Sequence, residues 1–344
     1  MSDRVDAARV TDKLSEYGEL TARRLGAYLV PRQPFRNLHA LATDYPTRGG
    51  RMLRASLCIA TARALGATTE SALPAAAAIE LMHNAFLVHD DIEDESLYRR
   101  GRRTLHELHG TPLAVNAGDA LSALALGALL DSRRALNHER VLRLVQQAQQ
   151  TIRAAVEGQA MELGWRRDNT MDLTETDYFA MIIKKTCAYT TVFPMVAGAI
   201  VAGDTDMQAR CLPFALTMGC AFQIQDDLLN LVGDEARYGK ELNGDLLEGK
   251  RTLMLLHLMQ ALDERDRRKL RTILARTRCE RGAEDIGWIR QRMDFCGSLA
   301  YARRYANQLA GAAEFEFDRA FGAIPNSPDK QFLAGLGRWV IERA

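Results

Sequence analysis

What the sequence has little of narrows the possibilities first. Net charge is nearly absent: 45 Lys and Arg face 44 Asp and Glu, a formal +1, so bulk electrostatics gives no case for nucleic-acid binding. Proline is sparse, and no linker, sequence repeat or low-complexity tract divides the 344 residues. The chain therefore reads as a single domain over residues 1–344, although it exceeds the usual ~150 residues per domain. No segment alternates apolar and polar residues with the period of a strand, so the expected fold class is all-α. The six cysteines, Cys58, Cys187, Cys211, Cys220, Cys279 and Cys296, show no paired metal-ligand spacing and read as buried free thiols in a reducing cytoplasm. The stretch MSDRVDAARVTDKL has no apolar signal core, and no stretch reads as approaching the ~20 apolar residues of a bilayer span. A cytoplasmic protein with no membrane span is the expectation.

What is present is apolar material, 47% of residues, distributed with a helical period. Val141, Leu144, Val145, Ala148, Ile152 and Val156 recur every three or four positions. Val5 to Val30 predicts an amphipathic helix, Gly49 and Gly50 are expected to open a basic helix bearing Arg51 and Arg54, and Ala72 to Ile92 predicts a helix buried on most sides. Further helices are expected over Leu113 to Leu130, His138 to Leu163, Thr174 to Val201, Ala209 to Val232 and onward to Glu342. Charges beyond Thr252 are expected on outward faces. Antiparallel helices around a deep central cavity would satisfy this pattern.

Two acidic clusters interrupt it. ELMHNAFLVHDDIEDESLYRRG, from Glu80 to Gly101, ends an apolar helix with Asp90, Asp91, Glu93 and Asp94, then Arg99 and Arg100. Asp90 and Asp94 lie one helical turn apart on one face, a spacing that suits Mg²⁺ held by one or two carboxylates together with substrate phosphates. The arginine forks suit phosphate oxygens. Clustered charges at a helix end more often form a solvated face of little consequence, and a single cluster leaves that reading open. The second cluster tips the balance: FQIQDDLLN, from Phe222, places Asp226 and Asp227 one turn after Gln223, with Lys240, Lys250 and Arg251 following. Facing each other across a cavity, the two clusters would clamp one polyanionic ligand through metals.

DDIEDESLYRRG, FQIQDDLLN with GKELNGDLLEGK, and GGRMLRA near Gly49 together resemble the motifs of the trans-isoprenyl diphosphate synthases, of the farnesyl or geranylgeranyl diphosphate synthase type. The resemblance runs from about Tyr45 to Leu256. It implies the isoprenoid synthase fold, a homodimer, and Mg²⁺, three ions per site. It also implies condensation of isopentenyl diphosphate with an allylic diphosphate. On this reading Asp90, Asp94 and Asp226 hold the metals, supported by Asp91 and Asp227. Arg99, Lys185, Lys240 and Lys250 face the allylic diphosphate, with Thr186 and Gln223 near the reacting carbon. Arg51, Arg54, His83 and Arg100 hold isopentenyl diphosphate. The sequence departs from the pattern at Arg51, where lysine is usual, at Met52 and Ala55, where arginine and proline are frequent, and at Asn230, the third position of the second motif. Replacing Asp90 or Asp94 by alanine is expected to lower turnover by orders of magnitude and to relieve repulsion in the metal-free protein.

Product length is read from the turn below Asp90. Ala85 opens one side, Phe86 narrows the other and Met82 closes the next turn, which favours geranylgeranyl over farnesyl diphosphate. Gln159 and Glu162 either line the cavity or serve as surface and capping groups. Two other classes compete: a terpene cyclase, which needs no second diphosphate site, and a regulatory subunit of a heteromeric synthase, which would be expected to lose the acidic motifs.

Overall fold

The computed structural model describes residues 7–233 and 241–343. Among these the chain is all-α apart from a two-residue antiparallel strand pair. The helices that position the site are α1 (Ala7–Gly26), α2 (Ala40–Thr47), α3 (Leu53–Ala64), α4 (Thr69–Glu93), α5 (Leu105–His109), α6 (Thr111–Asp131) and α7 (His138–Arg167), then α8 (Glu175–Ile182), α9 (Phe193–Ala202), α10 (Thr205–Arg210) and α11 (Leu212–Val232). Gly244–Glu248, Leu253–Ala261, Glu264–Leu274, Ala283–Phe295, Ser298–Phe321 and Pro328–Glu342 complete the bundle.

Helix α4 lies at its centre. Thr68 caps it by accepting the Ser71 N–H, satisfying one of the free donors of the first turn. Ala72 and Ala75 to Ala78 are all buried; such small side chains let α1, α3 and α6 pack close on different sides of the helix. On α1, Val10, Leu14, Tyr17 and Leu25 form the buried stripe. The Tyr17 hydroxyl donates to Asp329, which also takes Arg63 Nε at 3.0 Å, so the first and last described helices are tied together.

Helices α8 and α9 form one rod, joined by a π-helical segment over Ile183–Val192. One wide turn inserted in a helix re-aims the side chains it carries, and this segment carries Lys185, Thr186, Tyr189 and Thr190. It approaches α7 at Gly158, where a Cβ would stand 2.3 Å from the Lys185 backbone nitrogen. Only glycine permits that approach.

Several expectations are corrected. Helix α3 starts at Leu53 rather than at the glycine pair, because Gly49, Gly50 and Met52 all have positive φ, 81°, 151° and 48°; Arg51 therefore sits in a loop. A hairpin, absent from the sequence reading, links Tyr98–Arg99 to Arg102–Arg103 through Arg100 and Gly101, both at positive φ as a two-residue turn of this twist requires. Three helical stretches, Thr69–Glu93, Thr111–Arg134 and Glu175–Ala202, are in fact long and apolar enough to cross a membrane. The first and third are mostly buried inside the bundle, which accounts for their apolar character; the second is 39% buried. Not all charges beyond Thr252 face outward: Arg281 is buried against backbone carbonyls. Cys279 is exposed rather than buried.

Candidate active site

The carboxylates of the first cluster have separate environments. Asp90, in the last turn of α4, borders a central cavity of about 570 Å³ and its side chain is 22% exposed. Lys185 Nζ approaches it to 3.4 Å and Arg99 Nη2 to 3.5 Å. Asp91, about 100° further round the helix, is fully buried and takes Arg99 Nε at 3.0 Å and the Tyr45 hydroxyl at 2.6 Å. Asp94 is the C-cap of α4. The expectation that it stands in the cavity beside Asp90 is corrected: its carboxylate is buried between Arg166 and Lys250, each at 2.6 Å. Burial pushes this carboxyl up, but Lys250, Lys185 and Arg166 outweigh it and hold Asp94 below the usual carboxylate range.

On α11, Asp226 borders the same cavity and takes Arg343 Nη2 at 2.6 Å. Asp227 instead accepts the Tyr178 hydroxyl at 2.9 Å and Gln223 Nε2 at 2.6 Å. Burial, then the charges of Asp245 and Asp226, push its carboxyl well up. Gln223 accepts the Thr186 hydroxyl at 2.8 Å, linking α11 to the π segment. Asn230 accepts the Asp245 N–H at 3.0 Å and so serves as a cap for Gly244–Glu248. Lys240 lies outside the described residues.

The cations of the cavity form two groups. Lys185 pairs with Glu162 as well as Asp90, while Lys250 pairs with Glu248 at 2.8 Å as well as Asp94. Away from these, Arg54 donates to Thr190 Oγ1 at 2.9 Å and Tyr189 Oη at 3.3 Å, with His83 Nε2 at 3.3 Å. Arg51 lies 5.4 Å from the Trp339 ring. Arg100 donates to the Tyr45 carbonyl at 3.1 Å and lies over Gly50, where a Cβ would meet its Nη2 at 3.0 Å. A non-glycine residue at φ 52° is strained, and the strain is concentrated on an arginine that borders the cavity.

Phe86 also borders the cavity, edge-on to Tyr189 at 5.1 Å. Met82 and Ala85 do not; both are buried in the core. Four residues return a helix to nearly the same face, whereas five and eight do not, so of the three only Phe86 shares the face of Asp90. Gln159 and Glu162, expected either on the cavity wall or at the surface, both border the cavity. Arg166, Arg343, Tyr45, Tyr178 and Glu80 escaped the sequence reading: the first four reach the site from distant elements, and Glu80 carried no signal within its own apolar helix.

Glu248 gives the site a measurable pH signature. Burial, opposed by Lys250 and reinforced by Asp94 and Asp245, pushes its carboxyl up to about 7. A carboxyl whose folded value is raised binds its proton more tightly in the folded state, so stability falls as pH rises from the ordinary range of about 4.5 towards 7. Thermal denaturation across that window should show this slope, and Glu248→Gln should flatten it.

Among the described residues no three His, Cys, Asp or Glu converge on one metal position. Mg²⁺ asks less of a protein: one or two carboxylates, with phosphate oxygens and water completing its shell. Asp90 and Asp226, both bordering one cavity from different helices, fit that demand.

The polyprenyl synthetase family model matches residues 36–287. The chain belongs to the polyprenyl synthetase family. It is 32% identical over 335 residues to a short chain isoprenyl diphosphate synthase of Methanothermobacter thermautotrophicus, covering 97% of this chain and 98% of that one. Among solved structures, a geranylgeranyl pyrophosphate synthetase from Pyrococcus horikoshii superposes with a TM-score of 0.86 at 28% identity, covering 97% and 98% of the two chains. A geranylgeranyl pyrophosphate synthase from Corynebacterium glutamicum, complexed with isoprenyl diphosphate and magnesium, gives 0.85 at 26% identity over 96% and 99%. This family member is therefore an all-α trans-prenyltransferase.

Proposed function

We propose that this prenyltransferase, a single domain acting as a homodimer, condenses isopentenyl diphosphate with an allylic diphosphate to give geranylgeranyl diphosphate. One observation carries the reading: two acidic helix ends and a separate arginine cluster border a single cavity that continues into apolar walls at Phe86, Leu87, Ala155 and Val156. A cyclase, with one diphosphate to hold, has no use for the second cluster.

Asp90 and Asp226 would hold Mg²⁺, three ions in all with the diphosphate oxygens, and Asp94 would join when Arg166 and Lys250 turn from it towards substrate. When bound, the metal supplies Lewis-acid neutralisation of the leaving diphosphate. Lys185 and Lys250, both mostly buried, add fixed positive charge that acts more strongly there than in bulk water. Asp91 and Asp227 position rather than ligate, the first by fixing Arg99 and the second by fixing Gln223 beside Thr186. Arg51, Arg54, His83 and Arg100 hold the second diphosphate without metal. The allylic carbon–oxygen bond breaks with its electron pair going to diphosphate, the double bond of isopentenyl diphosphate forms the new carbon–carbon bond, and released diphosphate takes the proton lost from the adduct.

The homodimer is supported by apolar side chains outside the cavity: Val115, Leu126 and Leu130 on α6 and Leu142 and Ile152 on α7 are all exposed. Exposed large apolar side chains gathered on two helices in contact suit an interaction surface.

Incubation with Mg²⁺, isopentenyl diphosphate and dimethylallyl, geranyl or farnesyl diphosphate in turn should give geranylgeranyl diphosphate from every primer. Accumulation of farnesyl diphosphate, or of longer chains, would refute that length. Phe86→Ala should shift the product to longer chains, read by chromatography of the dephosphorylated alcohols; an unchanged spectrum would remove Phe86 from the cavity floor.

A further inference from the structure

Glu80 is an anion in an anion site. It borders the cavity from α4 and is 3% exposed. Its Oε1 accepts the Ala55 N–H at 3.1 Å, in the first turn of α3, and the nearby charges of Arg54 and Arg100 act on it. Met52, the residue preceding α3, offers no side-chain cap, so helix capping accounts for one carboxylate oxygen. A glutamine would provide the same acceptor. Capping therefore does not explain why a carboxyl is buried in the wall of a cavity that it shares with two arginines assigned to hold a diphosphate.

The reaction supplies a reason. The allylic substrate loses its diphosphate in each condensation, so the lengthened product carries the diphosphate of isopentenyl diphosphate and stays in the arginine site. Before another addition, that group must leave Arg54 and Arg100 for the acidic walls at Asp90 and Asp226. A site that bound diphosphate with its full complement of unopposed guanidinium groups would hold the product as tightly as the substrate, and tight binding of both gains no rate once the substrate saturates.

We propose that Glu80 is a resident counter-charge that balances Arg54 and Arg100 in the free enzyme and weakens their hold on diphosphate, so that each lengthened product is released to the metal-binding walls. In the free state it stands where the ligand's charge will be felt; in the occupied state it repels that charge. Burial is the largest influence and leaves the carboxyl above its ordinary value, while Arg54, the Ala55 N–H and Arg100 oppose that rise. The inference rests on the assignment of the arginine cluster to isopentenyl diphosphate.

The test is calorimetric binding of isopentenyl diphosphate in Mg²⁺-free buffer, with steady-state kinetics of the same proteins. Glu80→Gln keeps the α3 cap and removes the charge. It should bind isopentenyl diphosphate more tightly by at least ~fivefold, the order expected for removing one like charge from a partly screened pocket. The KM for isopentenyl diphosphate and the kcat should both fall, and the KM for the allylic substrate should not move. Glu80→Met, a second neutral variant of similar length, should do the same and serves if the glutamine variant does not fold. Unchanged or weaker binding in a folded neutral variant overturns the proposal, because loss of a merely structural residue cannot tighten a site. Arg54→Ala separates this from failure of the underlying assignment: if it leaves binding intact, the arginine cluster is not the isopentenyl diphosphate site and the proposal falls with it.

Discussion

Asp90→Ala is expected to lower turnover by about 10³-fold, the scale of losing a principal electrostatic group in an enclosed site, while the protein keeps its fold and melting temperature. The structure makes the two parts of this expectation separable. Asp90 borders the cavity and is partly exposed, and each cation beside it has another acidic partner: Lys185 pairs with Glu162 and Arg99 with Asp91. Its removal leaves no buried charge stranded. Steady-state kinetics and a thermal melt on one preparation check both parts. Near-normal turnover would refute the metal-holding role, and a large drop in melting temperature would refute the local charge accounting.

Asp94→Ala should damage both properties. The carboxylate is buried between Arg166 and Lys250, on α7 and in the loop after Gly244–Glu248. Breaking a buried ion pair from one side leaves the partner uncompensated and costs roughly 3–5 kcal/mol. Lys250 keeps Glu248, which places the expected loss nearer the lower figure. Relief of repulsion, anticipated from the density of aspartates in the sequence, does not govern this position, because the structure surrounds Asp94 with cations. It applies better to Asp226, whose charge helps push the Asp227 carboxyl up. A variant at Asp94 that melts like the parent chain would show that these pairs contribute nothing to folding. The contrast between Asp90 and Asp94, one turn apart in the sequence, is the more demanding comparison.

The elements of this fold were largely legible because their causes are local. Apolar residues at three- and four-residue spacing mark α4 and α7, and a doubled aspartate at the end of each apolar run marks the sites on α4 and α11. Phe86 was placed correctly on the wall because its four-residue distance from Asp90 is a property of one helix. Asp94, four residues on, was misplaced because two distant cations decide where its carboxylate turns. Arg51 was expected in a helix, but three positive-φ residues around it hold it in a loop. The division of labour within each Asp–Asp pair depends on the nearby Arg99 and Gln223 and on Tyr45 and Tyr178, which arrive only when the bundle closes. Glu80 looked like any residue of an apolar helix until the Ala55 N–H was set against it in a cavity that also holds Arg54 and Arg100.

The central claim is that both acidic walls act on one metal-bound diphosphate. Calorimetric titration of inorganic diphosphate in Mg²⁺ into the parent protein, Asp90→Asn and Asp226→Asn tests it directly. Each single variant should lose at least ~tenfold in affinity, since each removes a carboxylate from a metal set that needs only one or two, and omission of Mg²⁺ should reduce all three proteins to the same weak binding. Affinity equal to the parent's in either variant would mean that one wall takes no part in holding the ligand, and the account would be wrong.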